Sequence, residues 1–223
     1  MVIESKTDPK VQLEVDPTYF AQRSSLRPLE YRSHAAAGPR VGGHYRPFFS
    51  TGLVTGVAAA GALLSLRWAN SERNLILLKA IVQATLTTAF GTAQETSVDL
   101  VRVNDFTAPD TGGTAIVLGN ACRLAPDMQP LEAAALNVAT TAALGAGAGN
   151  VEAFPFGTSI LSLGNTLGAS AGGVLFDAMA GQEHPAIFSA NSGFRIRNLF
   201  AQGATGVVRF NFGLVLAVVP GEF

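Results

Sequence analysis

Residues 191–220 read NSGFRIRNLF AQGATGVVRF NFGLVLAVVP, and the alternation inside them decides the fold class. In the second half Val208, Phe210, Phe212, Leu214, Leu216 and Val218 share one parity. Arg209, Asn211, Gly213 and Ala217 share the other with Val207, Val215 and Val219. A period of two is the signature of a pleated strand, since a helix would repeat its apolar positions near every 3.6 residues. The first half puts Phe194, Ile196 and Phe200 on one side and Arg195, Arg197 and Leu199 on the other. Gln202-Gly203-Ala204-Thr205-Gly206 lies between the halves and is made of turn formers. The spacing predicts a β-hairpin whose arms need further strands to pair with. Its second arm turns apolar on both faces beyond Gly213, which predicts burial on both sides at that end.

Upstream of this segment the same period recurs. Strands are predicted over Phe48 to Ala60, Ala62 to Trp68, Leu75 to Thr88 and Thr96 to Val103, with a polar turn at Asn70 to Asn74. In Leu75 to Thr88, a helix capped by Ser71 competes with a strand. Ile76, Leu78, Ala80, Val82, Ala84 and Leu86 share one parity and Thr85, Thr87 and Thr88 are β-branched, which decides for strand. Asn104 to Gly113 is dense in turn formers, Thr114 to Leu118 reads as a short edge strand, and Glu132 to Leu144 leans to strand despite its alanines. Leu161 to Gly173 reads as a Gly and Ser loop, and Val151 to Phe156, Val174 to Met179 and Ala186 to Ser189 as short strands. About eight strands with turns at short intervals predict an all-β chain, with a jelly-roll-like β-sandwich as the leading topology.

Residues 1–46 differ from this pattern. Pro9, Pro17, Pro28 and Pro39 break any long helix, yet Val11, Leu13, Val15, Tyr19, Phe20, Leu26, Leu29 and Tyr31 are too many for a solvated tail. The division expected is an extended N-terminal arm over 1–46 and a β-sandwich domain over 47–223. The arm is expected to bind a neighbouring subunit through Val11, Leu13, Tyr19, Phe20, Leu26, Leu29 and Tyr31.

Of the 223 residues 48% are hydrophobic and only 14% charged, against roughly 25% charged in average soluble proteins. A surface so poor in charge points to coverage by copies of the chain or by another protein. The net charge of −1 gives no general attraction for nucleic acid, and Gly52 to Leu66 falls short of the roughly 20 apolar residues of a membrane span. Neither nucleic acid nor membrane is an expected partner. Cys122 has no second cysteine to bond, and Met1 to Lys6 lacks a basic-then-apolar signal pattern, so folding in a reducing cytoplasm is expected.

Motifs for chemistry are sparse. His34, His44 and His184 are far apart and none has a second ligand at metal-binding spacing. Asp99, Asp105, Asp110, Asp127 and Asp177 match neither a calcium loop nor a glycosidase pair, and Asp105 and Asp110 are expected to cap their own turn. Gly145 to Asn150 is glycine-rich, but a phosphate cradle needs a strand before it and a helix behind it, so a turn is expected. Arg195 and Arg197 share one strand face. They are expected either to contact a partner's carboxylates, for which guanidinium geometry suits, or to be solvated. No cofactor, metal or catalytic residue is expected.

Phe106-Thr107-Ala108-Pro109-Asp110-Thr111-Gly112-Gly113-Thr114-Ala115, Glu183-His184-Pro185 and Asn191-Ser192-Gly193-Phe194-Arg195-Ile196-Arg197-Asn198 resemble small virion proteins of tailed bacteriophages, over roughly Gly42 to Val219. The resemblance implies a non-enzymatic structural protein of the particle, assembled in the bacterial host cytoplasm. The role implied first is a capsid decoration or cement protein, a homotrimer that stabilises major capsid subunits. The alternative is a tail fibre, spike or neck component whose end loops, Asn104 to Gly113 and Leu161 to Gly173, bind a receptor or carbohydrate.

Overall fold

A computed structural model describes residues 2–4, 12–14, 43–92, 94–118, 131, 134–163, 166–178, 180 and 184–220. The chain forms two units, Met1–His34 and Ala35–Phe223. In the first, β1 (Val2–Glu4) pairs antiparallel with β2 (Gln12–Glu14), with Ile3 opposite Leu13. The second begins with β3 (Gly43–Tyr45), β4 (Phe48–Ser50), β5 (Val54–Thr55), β6 (Ala62–Trp68), β7 (Arg73–Thr88) and β8 (Gln94–Asn104). It continues with β9 (Thr114–Ile116), β10 (Ala134–Val138), β11 (Asn150–Val151), β12 (Gly157–Leu163) and β13 (Ser170–Asp177). Last come β14 (Ala186–Phe188), β15 (Ser192–Asn198) and β16 (Val207–Pro220). No helix occurs among the described residues.

The fold is a jelly roll. Four ladders are nested like a long hairpin: β4 with β16, β6 with β15, β7 with β13, and β8 with β12. The ribbon then rolls so that β16 lies along β7 and β15 along β8. This closes two antiparallel sheets. One runs β8-β15-β6-β10-β9 with β11 and β12 on the far edge of β8, and the other runs β13-β7-β16-β3 with β14, β4 and β5 on its edges. They are called here the β8 sheet and the β7 sheet. Strand pairs first-with-last, second-with-seventh, and so on inward, define this topology.

The predicted hairpin of residues 191–220 does not form. β15 pairs with β6 and β8, β16 pairs with β7 and with β3 to β5, and Leu199–Gly206 crosses from one sheet to the other. The two apolar faces therefore look at each other across the core rather than lying side by side. Val208, Phe210, Phe212, Leu214, Leu216 and Val218 all enter the core with Phe194 and Ile196, while Phe200, on the crossing, is half exposed. Alternation states which side chains are buried together, and it is silent on whether they are neighbours in one sheet or opposite each other in two.

β7 departs from strict alternation. Leu216 pairs with Leu77 but Val215 with Lys79, so Leu78 is the extra residue of a bulge. Parity reverses there: Leu75 and Leu77 face the core on one side of it, and Ala80, Val82, Ala84 and Leu86 on the other. Ile76 and Leu78, expected in the core row, are buried outside the core cluster. An unpaired extra residue flips every side chain beyond it to the opposite face.

The seams also explain three other differences. Phe48 to Ala60 is not one strand but β4 and β5, both on β16, with a break between them where the Gly52 N–H donates to the Ala139 carbonyl at 3.0 Å. The expected loop at Leu161 to Gly173 is largely strand, and of Val151 to Phe156 only Val151 is. Gly168 keeps a turn at φ 82°, but Gly173 serves close approach, since a Cβ there would lie 2.0 Å from Ser159 Oγ, and on the facing strand one on Gly157 would lie 2.2 Å from the Leu175 carbonyl oxygen. β12 and β13 close one side of the sandwich through this contact. Its first strand, β3, also lies upstream of the boundary expected at residue 47.

Candidate interaction surface

The outer faces of the two sheets differ. On the β8 sheet, Val101 and Val103 lie outside the core cluster yet are fully buried, Gly149 packing against Val103 and Phe106 and Val101 lying beside Arg195 in the register. Arg195 ties the covering loops, residues 105–113 and 144–149, to this face. Its Nε donates to Asp110 Oδ2 at 2.7 Å and its Nη2 to Asp110 Oδ1 at 2.5 Å, with side-chain exposures of 6% for the arginine and 0% for the aspartate. The Gly147 N–H donates to the same Oδ1 at 2.6 Å, and the guanidinium lies 5.0 Å from the centre of the Phe106 ring. A bidentate pair in dry surroundings is the strong form of this contact, and the ring face adds cation–π attraction.

Neighbouring bonds repeat the theme. Arg67 donates from Nε to the Phe106 carbonyl and from Nη2 to Asn191 Oδ1 at 2.8 Å. Asn150 Nδ2 donates to Asp105 Oδ2 at 2.9 Å. Arg197 donates to both oxygens of Asp99, at 3.0 and 2.5 Å. Both arginines picked out for a partner's carboxylates thus have carboxylates of their own chain. Asp110 caps the distant Gly147 rather than its own turn, one amide of the glycine run donating to that aspartate. A Cβ on Gly147 would lie 2.2 Å from the Ala108 carbonyl oxygen, so only glycine lets the two loops meet.

The outer face of the β7 sheet is uneven: Ile76 and Ala217, paired at one end and outside the core cluster, are buried, whereas its middle is exposed. Register places Phe48 beside Gly213, Gly213 beside Ile81, and Ile81 beside Val174, giving one straight row across four strands. All point outward, and Phe48 is 65% exposed, Ile81 39% and Val174 51%. Ile81 leans over the bare Gly213, where a Cβ would meet its Cγ1 at 2.8 Å. Val215, Lys79 and Asp177 flank the row on one side, and Ser50, Asn211, Gln83 and Gly172 on the other. Lys79 Nζ donates to Asp177 Oδ2 at 2.6 Å, so the charges nearest the row are already paired.

This surface escaped the sequence reading, although Ile81 carried a signal. It breaks the parity of Ala80, Val82, Ala84 and Leu86, so any β-sheet built on that row turns an isoleucine to the outside. Of the residues expected to bind a partner through the arm, Val11, Tyr19, Phe20, Leu26, Leu29 and Tyr31 lie outside the described residues, and Leu13 is placed only by its backbone in β2. Cys122, Asp127 and His34 also lie outside them. Among the described residues no group of three His, Cys, Asp or Glu side chains is placed to hold a metal ion. Comparison of the chain with protein-family models, with curated proteins and with solved structures found no match.

Proposed function

We propose that this chain is a non-enzymatic structural protein of a tailed-bacteriophage virion, a capsid decoration protein that binds and stabilises major capsid subunits as an oligomer, the homotrimer being the form expected. Residues 1–46 grip the shell, and the apolar face of the sandwich meets neighbouring molecules. The observation that supports this most is the asymmetry of the sandwich. One outer face is covered over Val101 and Val103 by the chain's own loops, and the other carries the exposed Phe48, Ile81 and Val174 in a protein with only 14% charged residues. Exposed apolar surface of this kind is a mark of association.

The tail-fibre or receptor-binding alternative relied on two end loops. Asn104 to Gly113 is packed onto the β8 sheet through Phe106 and Asp110, and Leu161 to Gly173 is mostly β12 and β13. Both still expose residues, among them Thr107 to Pro109 and Leu167, but Phe106 and Asp110 anchor the first to the sheet. The test of the decoration reading is deletion of residues 1–46 followed by incubation with particles that lack the protein. The expected result is loss of co-sedimentation and of added thermal stability of the particle. Undiminished binding by the truncated chain would overturn the proposal.

A further inference from the structure

We infer that the outer face of the β8 sheet has a built-in site for one water molecule, seated on the Ser65 hydroxyl and joining the sheet to the loops that cover it. The site belongs to the fold of the chain and stands apart from the proposed role on a particle.

Ser65 interrupts a row of longer side chains. Register aligns Asn137 of β10, Ser65 of β6, Arg195 of β15 and Val101 of β8 on four adjacent strands. Leu64, Leu66, Phe194 and Ile196, the neighbours of Ser65 and Arg195 along their strands, belong to the core, so alternation turns this row to the outside. All four members are nevertheless buried, Ser65 to 1% exposure. In that setting Ser65 Oγ has no hydrogen-bond partner among the described residues. A hydroxyl taken out of water and left unbonded loses more than an ordinary hydrogen bond contributes, and native interiors answer such groups with a protein atom or an ordered water.

The groups around the hydroxyl suit one small bridging molecule. The strands on either side lie about 4.8 Å away, and they carry an amide and a guanidinium that both reach further from the sheet than a serine does. Arg195 engages Asp110 through Nε and Nη2, which leaves Nη1 outside that pair. The Asn137 amide can both donate and accept. The Gly147 carbonyl, in the cover, takes only a long bond of 3.4 Å from Arg195 Nη2. A buried water makes about three bonds, and donors and acceptors are both present here.

Charge selects a neutral molecule. The Arg195 guanidinium disfavours a cation, and the Asp110 carboxylate, 2.5 Å from it, disfavours an anion. Since the two already neutralise each other, an ion of either sign would be desolvated without gaining a counter-charge. Water, which donates two bonds and accepts two, meets the mixed set without that cost.

The test is a crystal structure of the full chain at about 1.5 Å, joined to amide hydrogen exchange of Ser65→Ala. The expected density is one water within about 3.2 Å of Ser65 Oγ that also reaches a polar atom of Asn137, Arg195 or Gly147. In Ser65→Ala the water should be lost and exchange at residues 110–111 and 145–147 should quicken about five-fold, as for the loss of one ordinary bond, with Phe210 and Phe212 unchanged. Ser65 Oγ bonded directly to a protein atom, an ion at that position, or no density there would each overturn the inference. Unchanged exchange in folded Ser65→Ala would overturn the link to the cover. Should that variant not fold, the crystal of the natural chain decides alone. Particle binding enters neither measurement, so the proposed function is read separately.

Discussion

Asp110→Ala is the most informative perturbation of the fold, because Asp110 is the anion around which the cover of the β8 sheet is tied. Its carboxylate takes two bonds from Arg195 and one from the Gly147 N–H, and both ionic side chains are dry. Removing the carboxylate strands a buried guanidinium and leaves the Gly147 amide without that acceptor. Breaking one side of a buried pair costs about 3–5 kcal/mol. In a domain of this size each kcal/mol shifts Tm by roughly 2–4 °C, so the expected fall is roughly 6–20 °C. Trp68 is the only tryptophan and is buried, so its fluorescence in a urea titration reports unfolding directly. Hydrogen exchange should show residues 105–113 and 144–149 losing protection while the inner strands keep theirs. The double variant Arg195→Met with Asp110→Ala should be more stable than Asp110→Ala alone, since the stranded charge is gone. A loss under about 1 kcal/mol in the single variant, or a double variant whose losses simply add, would refute the reasoning.

Two further expectations follow from close contacts in the core. Gly173→Ala should destabilise by about 1–3 kcal/mol through overpacking against Ser159 Oγ, and Ser159→Gly in the same chain should recover most of the loss. Urea midpoints of the two single variants and the double variant test that coupling. Phe210→Ala should cost about 3–5 kcal/mol, because the ring is fully buried and stacks on Phe212 with centroids 6.3 Å apart. A calorimetric scan should show that loss as a lower Tm, and a near-unchanged Tm would mean that β16 is not central to the core.

Much of the fold was legible in the chain because pleated strands write their buried side into every second residue. Val208 to Val218, Ala80 to Leu86 and the turn at Asn70 were all read correctly from that rule and from turn chemistry, and so was the jelly roll as a class. The errors occurred where the rule stops. The bulge at Leu78 reverses the parity of β7 through pairing with β16, a strand far along the chain. Gly173 marks a seam between sheets, although in sequence it looks like part of a loop.

What the sequence by itself determined is local and periodic: which residues are strand, which of them are buried, and that the chain is poor in charge. Only the tertiary structure decided who faces whom. Arg195 and Asp110 stand far apart in the chain and neither carries a motif, yet three strands and two loops bring them to 2.5 Å in a dry site. Phe48, Ile81 and Val174 become a surface only because register aligns three distant strands through Gly213. Local alternation records each side chain's own preference for water or core, whereas partners and surfaces depend on long-range pairing, which no single stretch of sequence encodes.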